Sequence, residues 1–380
     1  MGDRDILNDF RSHQAEWLAS LAGLVTHESP SRDKPSLDAL AVTLAARFAA
    51  IGGSVAIEEN ADGGDHVRVR FFDHVSGKKP ALLLAHYDTV WPLGTLATMP
   101  FRLEGGKAHG PGVFDMKASI ILAEMAIDAL RRFGITPPRP VEFLITSDEE
   151  IGSPTSRALI EARAREAQHV LVLEPPLADG SLKTARKGVG GFTVEVEGRA
   201  AHAGVEPEKG IDAIREMAGQ ILRIHELADP AEGTTVNVGE LRGGTTSNVV
   251  PAHAWAKVDV RAKTLAEARR IEAAMLGLTP IHPGARLTIR GGFNRPPMER
   301  TPAVADLFAR ARACGLKLGL DLGEGATGGG SDGNFTAALG VPTIDGLGVH
   351  GAGAHASHEH IVVESLAERA ALLAMLLTDL

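Results

Sequence analysis

Apolar positions along the chain follow two rhythms, and the sequence divides where one gives way to the other. From Leu37 to Ile51 (LDALAVTLAARFAAI) they recur at helical spacing until Gly52-Gly53 closes the run. An amphipathic stretch from Asp5 to Thr26 precedes it. Three short, nearly unbroken apolar runs follow, Pro80–His86 (PALLLAH), Val141–Thr146 (VEFLIT) and His169–Leu173 (HVLVL), separated by helical segments such as Lys117–Phe133. A strand that is apolar on both faces must be covered on both, so these runs predict parallel strands joined by crossover helices.

From about Gly188 the texture changes. Phe192–Glu197 (FTVEVE) alternates apolar and polar residues, as does part of Ala254–Val260 (AWAKVDV), with helical patterns at Ile211–Leu227 and Leu265–Leu276. Such alternation belongs to a sheet with one open face and helices on the other. A helical stretch, Ala303–Leu316, and an apolar run ending near Leu347 then restore the first texture. The expected architecture is an α/β domain with a mainly parallel sheet, built from residues 1–187 and 295–380, with an α+β domain, 188–294, inserted between the two segments. There is no internal repeat, and the glycine-rich Gly323–Gly333 (GEGATGGGSDG) is short enough to be a functional loop.

Length agrees with two units, since 380 residues is long for a single core. Charge narrows the partners: a net −9 argues against broad binding to phosphate backbones and favours a small-molecule substrate. Cys314 is the only cysteine, so no intramolecular disulfide forms and thiolate zinc sites of the Cys₄ or Cys₂His₂ kind are excluded. The opening MGDRDILNDF, Met1–Phe10, is charged where a secretory signal would be apolar. No later stretch has the ~18 apolar residues of a membrane span, so a cytoplasmic, membrane-free protein is the expectation.

The candidate chemistry sits where the predicted strands end. His86, Asp88, Glu149, Glu150 and Glu174 each follow an apolar run, and Asp115 closes the loop that opens the Met116–Phe133 helix. In a parallel sheet those are the carboxyl ends of strands, where ligands bind. So many carboxylates repel one another unless a cation sits among them, and imidazole with carboxylate suits Zn²⁺, with Co²⁺ or Mn²⁺ as substitutes. In His86-x-Asp88 the aspartate can fix the ring nitrogen that faces away from a metal. Each signal has an ordinary counterpart: a lone histidine after a strand is commonly structural, and adjacent glutamates usually lie on a solvated face. Glu149-Glu150, however, follow an apolar strand and precede Gly152 and Pro154. Near the end of the chain His355, His358 and His360 cluster, and spacing does not choose among them.

A rival constellation is Gly329–Gly333 (GGSDG), which matches Gly-x-Ser-x-Gly, with Asp345 and His355 following Ser331 in serine-hydrolase order. Against it, a nucleophile elbow follows directly on a strand, and this one follows more glycine; it also leaves the acidic cluster unexplained. A binding protein that has kept such a fold without its chemistry would be expected to have lost candidate ligands, and all are present.

Read in order, LLLAHYDTV, GPGVFDMKASI, TSDEEIGS, LEP and GAHASHEH resemble the signature blocks of the dinuclear zinc peptidase and deacylase family. That family includes glutamate carboxypeptidase, acetylornithine deacetylase, succinyl-diaminopimelate desuccinylase and aminoacylase. The resemblance spans nearly the whole chain. It implies two Zn²⁺, one held by His86 and Glu174, the other by Glu150 and His355, with Asp115 bridging, Asp88 orienting His86 and Glu149 acting as general base on a zinc-bridged water. His355 is preferred to His358 because it follows Gly-Ala and stands four residues before Glu359. The inserted domain resembles the family's lid and dimerisation domain. This implies a homodimer in which His202, in AAHAG, stabilises the oxyanion in trans, while Asn248 and Arg261 grip a substrate carboxylate and Gly329, Gly330 and Ser331 line the substrate channel. TGGGSDGNF and the block spacing are nearest the glutamate carboxypeptidase branch. The implied reaction is therefore release of a C-terminal amino acid, glutamate, from a peptide or N-acyl conjugate, with N-acyl-amino-acid deacylation as the alternative.

Overall fold

The computed structural model describes residues 3–75 and 77–380; Met1 and Gly2, at the head of the charged amino-terminal stretch, and Ser76 lie outside them. The chain forms two compact units, one of Met1–Ala185, Arg300–Thr327 and Ser331–Leu380, the other of Arg186–Glu299 and Gly328–Gly330. Gly329 and Gly330 thus group with the second unit, whereas the sequence pattern assigned them to the first.

The first unit is built on a six-stranded sheet whose centre is the three apolar runs. Ala81–His86 lies parallel to Val141–Thr146 on one side and to His169–Val172 on the other, and Thr343–Ile344 continues the parallel set. Every residue of Ala81–His86 and Val141–Thr146 is buried. Because side chains alternate across a strand, Leu83, Ala85 and Phe143 face a core shared with Ile121, Leu372 and Leu376. Leu82, Leu84 and Leu144 face another with Ile160, Ala164 and Phe335. Helices on both faces account for the unbroken apolar texture of these strands, and the mainly parallel α/β class holds.

Two antiparallel strands complete that sheet, Ser54–Glu58 and His66–Phe71, which the apolar-run criterion passes over. His66–Phe71 (HVRVRF) carries arginines at alternate positions, one of which, Arg68, pairs with Glu58 at 2.8 Å. The helix expected from Leu37 starts earlier, at Lys34: Asp33 accepts the Ser36 N–H at 3.1 Å and Pro35 occupies the first turn, a strong start signal. The amphipathic start proves to be two helices, Asp3–Ser12 and Gln14–Val25.

In the second unit, a four-stranded antiparallel sheet has the order Thr235–Gly243, His253–Ala262, Gly188–Glu197, Arg286–Arg295. Phe192, Val194, Val196, Ala256, Val258 and Val260 turn inward against Met217, Ile224, Ile271 and Met275 of two helices, Ala213–His225 and Leu265–Leu276. Asp212 and Thr264 cap those helices by accepting the N–H groups of Arg215 and Glu267. No helix among the described residues is long and apolar enough to cross a membrane.

Candidate metal centre

His86 ends the central strand, and its ring lies fully inside the protein, 1% exposed. Its Nε2 is 3.2 Å from Asp115 Oδ1 and 3.5 Å from Glu174 Oε1. The other carboxylate oxygen of Asp115, Oδ2, lies 3.4 Å from His355 Nε2, which is also 3.1 Å from Glu150 Oε2. Asp115 therefore stands between two imidazole–carboxylate pairs with one oxygen toward each. His355 reaches this place with a left-handed backbone, φ +61°, a conformation in which a non-glycine residue stores strain. His358 is exposed, and it is His355 that lies against Asp115 and Glu150.

Asp88 serves both halves of the cluster. Its Oδ1 is 3.3 Å from His86 Nδ1, on the side of the ring away from Asp115, and its two oxygens accept the backbone N–H groups of Glu149 and Glu150 at 3.1 and 3.2 Å. One buried carboxylate thus sets the orientation of a histidine on one strand and of the glutamate pair after the next.

The charges are strongly coupled. Burial opposes a charge on His86, but Asp115, Asp88 and Glu174 outweigh it and raise its pKa well above the ordinary value. Asp115 and Glu150 lift His355 to about 10. Burial pushes Glu150 up to about 7, with Asp115 adding to the rise, while at Asp115 the two imidazoles overcome burial and hold the carboxyl below its usual range. The carboxylates thus favour positive charge at both imidazoles. A divalent cation would supply that charge.

The donor set fits such an ion. His86, Asp115 and Glu150 bring one donor atom each within 4.8 Å of one another, and so do His86, Glu149 and Glu174. The donors are imidazole nitrogen and carboxylate oxygen; Cys314, buried in the helix Pro302–Leu318, belongs to neither group. That chemistry suits zinc-type ions better than Ca²⁺ or Mg²⁺, which prefer all-oxygen shells.

Two supporting residues were not singled out by sequence. Glu359 is wholly buried and accepts N–H groups from Gly112, Phe114 and Asp115 at 3.0, 2.9 and 3.1 Å and from the Trp91 indole at 2.8 Å, so it fastens the loop that presents Asp115. Asp148 is also buried and accepts from Thr155 N and Ser156 N at 2.7 and 3.2 Å and from both hydroxyls, closing the turn beneath Glu149 and Glu150. The available signals were position alone: Glu359 four residues after His355, and Asp148 first in the acidic triplet.

Ser331 bears on one expectation and on the serine-hydrolase rival that the sequence already disfavoured. Its side chain is completely buried; the hydroxyl donates to Asp345 Oδ2 at 2.7 Å and accepts the Gly333 N–H at 3.1 Å. It therefore braces its loop instead of lining a channel with its hydroxyl. Nor is it bonded to a histidine: His355 Nε2 lies against Glu150 and Asp115, so the serine-hydrolase arrangement is not assembled.

The remaining predicted residues lie in the second unit. His202 is exposed, and its Nδ1 accepts the Gly204 N–H at 3.2 Å, which leaves the proton of the neutral ring on Nε2. Asn248 is exposed and its carbonyl accepts from Ala203 N at 2.9 Å. Arg261 is bound side-on by Asp259, Nε to Oδ1 and Nη2 to Oδ2, both at 2.9 Å, and Nη1 lies 3.5 Å from Gly328 O. The Gly329 and Gly330 carbonyls accept from Arg186 Nη1 at 3.1 and 3.2 Å.

Residues 82–379 match the sequence profile of peptidase family M20/M25/M40. The chain belongs to that family. This M20 hydrolase is 32% identical over 373 residues to carboxypeptidase G2 of Pseudomonas sp. (strain RS-16), covering 96% of the chain and 89% of the relative. Its fold is that of aminopeptidase PepT from Bacillus cereus, with a TM-score of 0.81 at 24% identity over 96% of this chain and 98% of that one. It is also that of an M20 family metallo-carboxypeptidase, Sso-CP2, from Sulfolobus solfataricus, with a TM-score of 0.74 at 18% identity over the same shares of the two chains. The M20 chain is accordingly an enzyme, a hydrolase of a metallopeptidase family, and that membership implies a divalent metal.

Proposed function

We propose that this chain is a zinc-dependent carboxypeptidase that hydrolyses the amide bond next to a free carboxylate and releases a C-terminal amino acid, glutamate, from a peptide or N-acyl conjugate. The observation that carries the reading is Asp115, with one oxygen toward His86 and the other toward His355. The likeness to carboxypeptidase G2 supports the substrate class.

Two divalent ions held by His86, Glu174, Asp115, Glu150 and His355 would polarise the scissile carbonyl and acidify the attacking water. Glu149 takes the proton from that water and hands it to the leaving nitrogen. Asp88 keeps His86 and the Glu149–Glu150 backbone in register for this step. His202, with its Nε2–H free of the Gly204 contact, donates to the oxyanion.

Arg261 selects the carboxylate. Asp259 occupies its Nε–Nη2 edge and orients the guanidinium, which leaves the Nη1–Nη2 edge for a planar anion. Replacing Arg261 by Ala is expected to depress hydrolysis of an N-acyl-glutamate by roughly 10–150-fold, the worth of hydrogen bonds to a charged group, and to leave its α-amide almost unaffected. Steady-state kinetics on the acid and amide check this; equal losses would remove Arg261 from recognition.

The enzyme works as a homodimer through its second unit, with His202 serving the site of the other copy. Support comes from Thr235–Gly243, which lies at the edge of its sheet with Leu241 exposed. The test is complementation: His202→Ala and Glu149→Ala chains, each inactive alone, regain activity when mixed and allowed to exchange. A mixture that stays inactive despite exchange would place His202 in its own chain's site.

A further inference from the structure

A cavity of about 600 Å³ lies in the first unit, apart from the metal-binding cluster in its lining. Its walls come from the turn at Asp179–Ser181, the segment after the helix Pro302–Leu318, His350, and the first turns of the helix Val363–Asp379. Its charged wall residues do not cancel one another.

Arg369 is 6% exposed, a guanidinium almost wholly withdrawn from water. Its Nη2 donates to the Gly180 carbonyl, while Nη1 is buried with no hydrogen-bond partner among the described residues. Burial lowers its pKa only to about 10, so it keeps its charge at neutral pH. A buried guanidinium without a full set of acceptors is costly, and Glu368, its neighbour in the chain, offsets that by attraction without a hydrogen bond.

The carboxylates of the same walls are mostly committed elsewhere. Glu364 and Glu368 face Arg11 at 3.4 and 3.5 Å, and Asp321 pairs with Arg312 at 2.8 Å. Asp179, exposed on the rim, is the exception: it accepts the Ser181 N–H at 3.0 Å and forms no ion pair at contact distance among the described residues. The cavity therefore holds a buried guanidinium with an unfilled donor, which Glu368 attracts without a direct contact, and on its rim a carboxylate that His350 attracts without a direct contact. The His350 Nε2–H itself is spent on the Ala178 carbonyl at 3.0 Å.

We propose that this cavity binds a free amino acid, with its carboxylate on Arg369 and its ammonium group on Asp179. A simple anion would meet only the buried guanidinium, and a simple cation only the exposed carboxylate on the rim. The inference stands apart from the hydrolytic reading, because none of the residues it uses belongs to the metal cluster.

Titration calorimetry on the metal-loaded full chain with glycine, acetate and methylammonium tests it. Glycine is expected to bind at one saturable site more tightly than acetate or methylammonium. Arg369→Met should weaken glycine by roughly tenfold or more. Its fold is expected to survive, because exchanging an unpaired buried charge for an apolar side chain is commonly neutral or stabilising; an unchanged unfolding midpoint checks that. Asp179→Ala, on the exposed rim, carries the test independently: glycine should weaken while acetate does not change. No saturable glycine binding, acetate binding as tightly as glycine, or glycine affinity indifferent to Asp179→Ala would each overturn the proposal.

Discussion

Glu149→Ala is expected to lower kcat by roughly 10²–10⁴-fold, the range a general acid–base group supplies, while the protein keeps its full metal complement. The adjacent Glu150→Ala should behave differently and lose metal. The two glutamates share a turn, and Asp88 holds the backbone N–H of each, so their roles separate through the side chains alone. Glu150 lies against His355 at 3.1 Å, across from Asp115, as a ligand would. Glu149 gathers with His86 and Glu174, close enough to donate to an ion there, so the metal content of its variant decides between ligand and base. Metal content by mass spectrometry, set beside kcat for both variants, checks the division; an active Glu149→Ala enzyme would place the base elsewhere.

Glu359→Ala is expected to be as damaging without touching substrate. Three backbone N–H groups and one indole N–H end on that carboxylate. Orphaning buried donors costs at least about 1 kcal/mol each, so the three backbone groups alone predict a loss near 3 kcal/mol. Because the same loop presents Asp115, metal affinity should fall with stability. Glu359→Gln, which keeps one acceptor oxygen but turns an amide toward the remaining donors, should recover only part of either. Denaturant unfolding and metal titration measure the two effects; a Glu359→Ala protein with wild-type metal affinity would show that the loop is held by other means.

How much of this was legible in the sequence depends on whether a residue's role is local. The central strands could be read because burial on both faces leaves an unbroken apolar run, and the ends of those strands then located His86, Glu149, Glu150 and Glu174. His66–Phe71 was lost because it interleaves arginines with its apolar residues: Arg68 pairs with Glu58 on the neighbouring strand and Arg70 with Asp73 just beyond the strand's end. Glu359 served in the sequence only as a marker for His355; its bracing role could not be read because its backbone N–H partners lie about 245 positions away. Gly-x-Ser-x-Gly at Ser331 could not by itself establish a serine hydrolase, because the pattern describes a sharp turn and not the direction the hydroxyl faces. Asp259 was readable in principle: two residues before Arg261 on one strand, it shares that residue's face and is well placed to pair with it.

The account rests on Asp115 joining two metal positions. The most direct test is to measure divalent metal per chain in the purified enzyme and follow hydrolysis of an N-acyl-glutamate through chelation and zinc restoration. Two zinc ions per chain, with activity that disappears on stripping and returns on reloading, is the predicted result. Hydrolysis that persists at full rate in metal-free protein would contradict it.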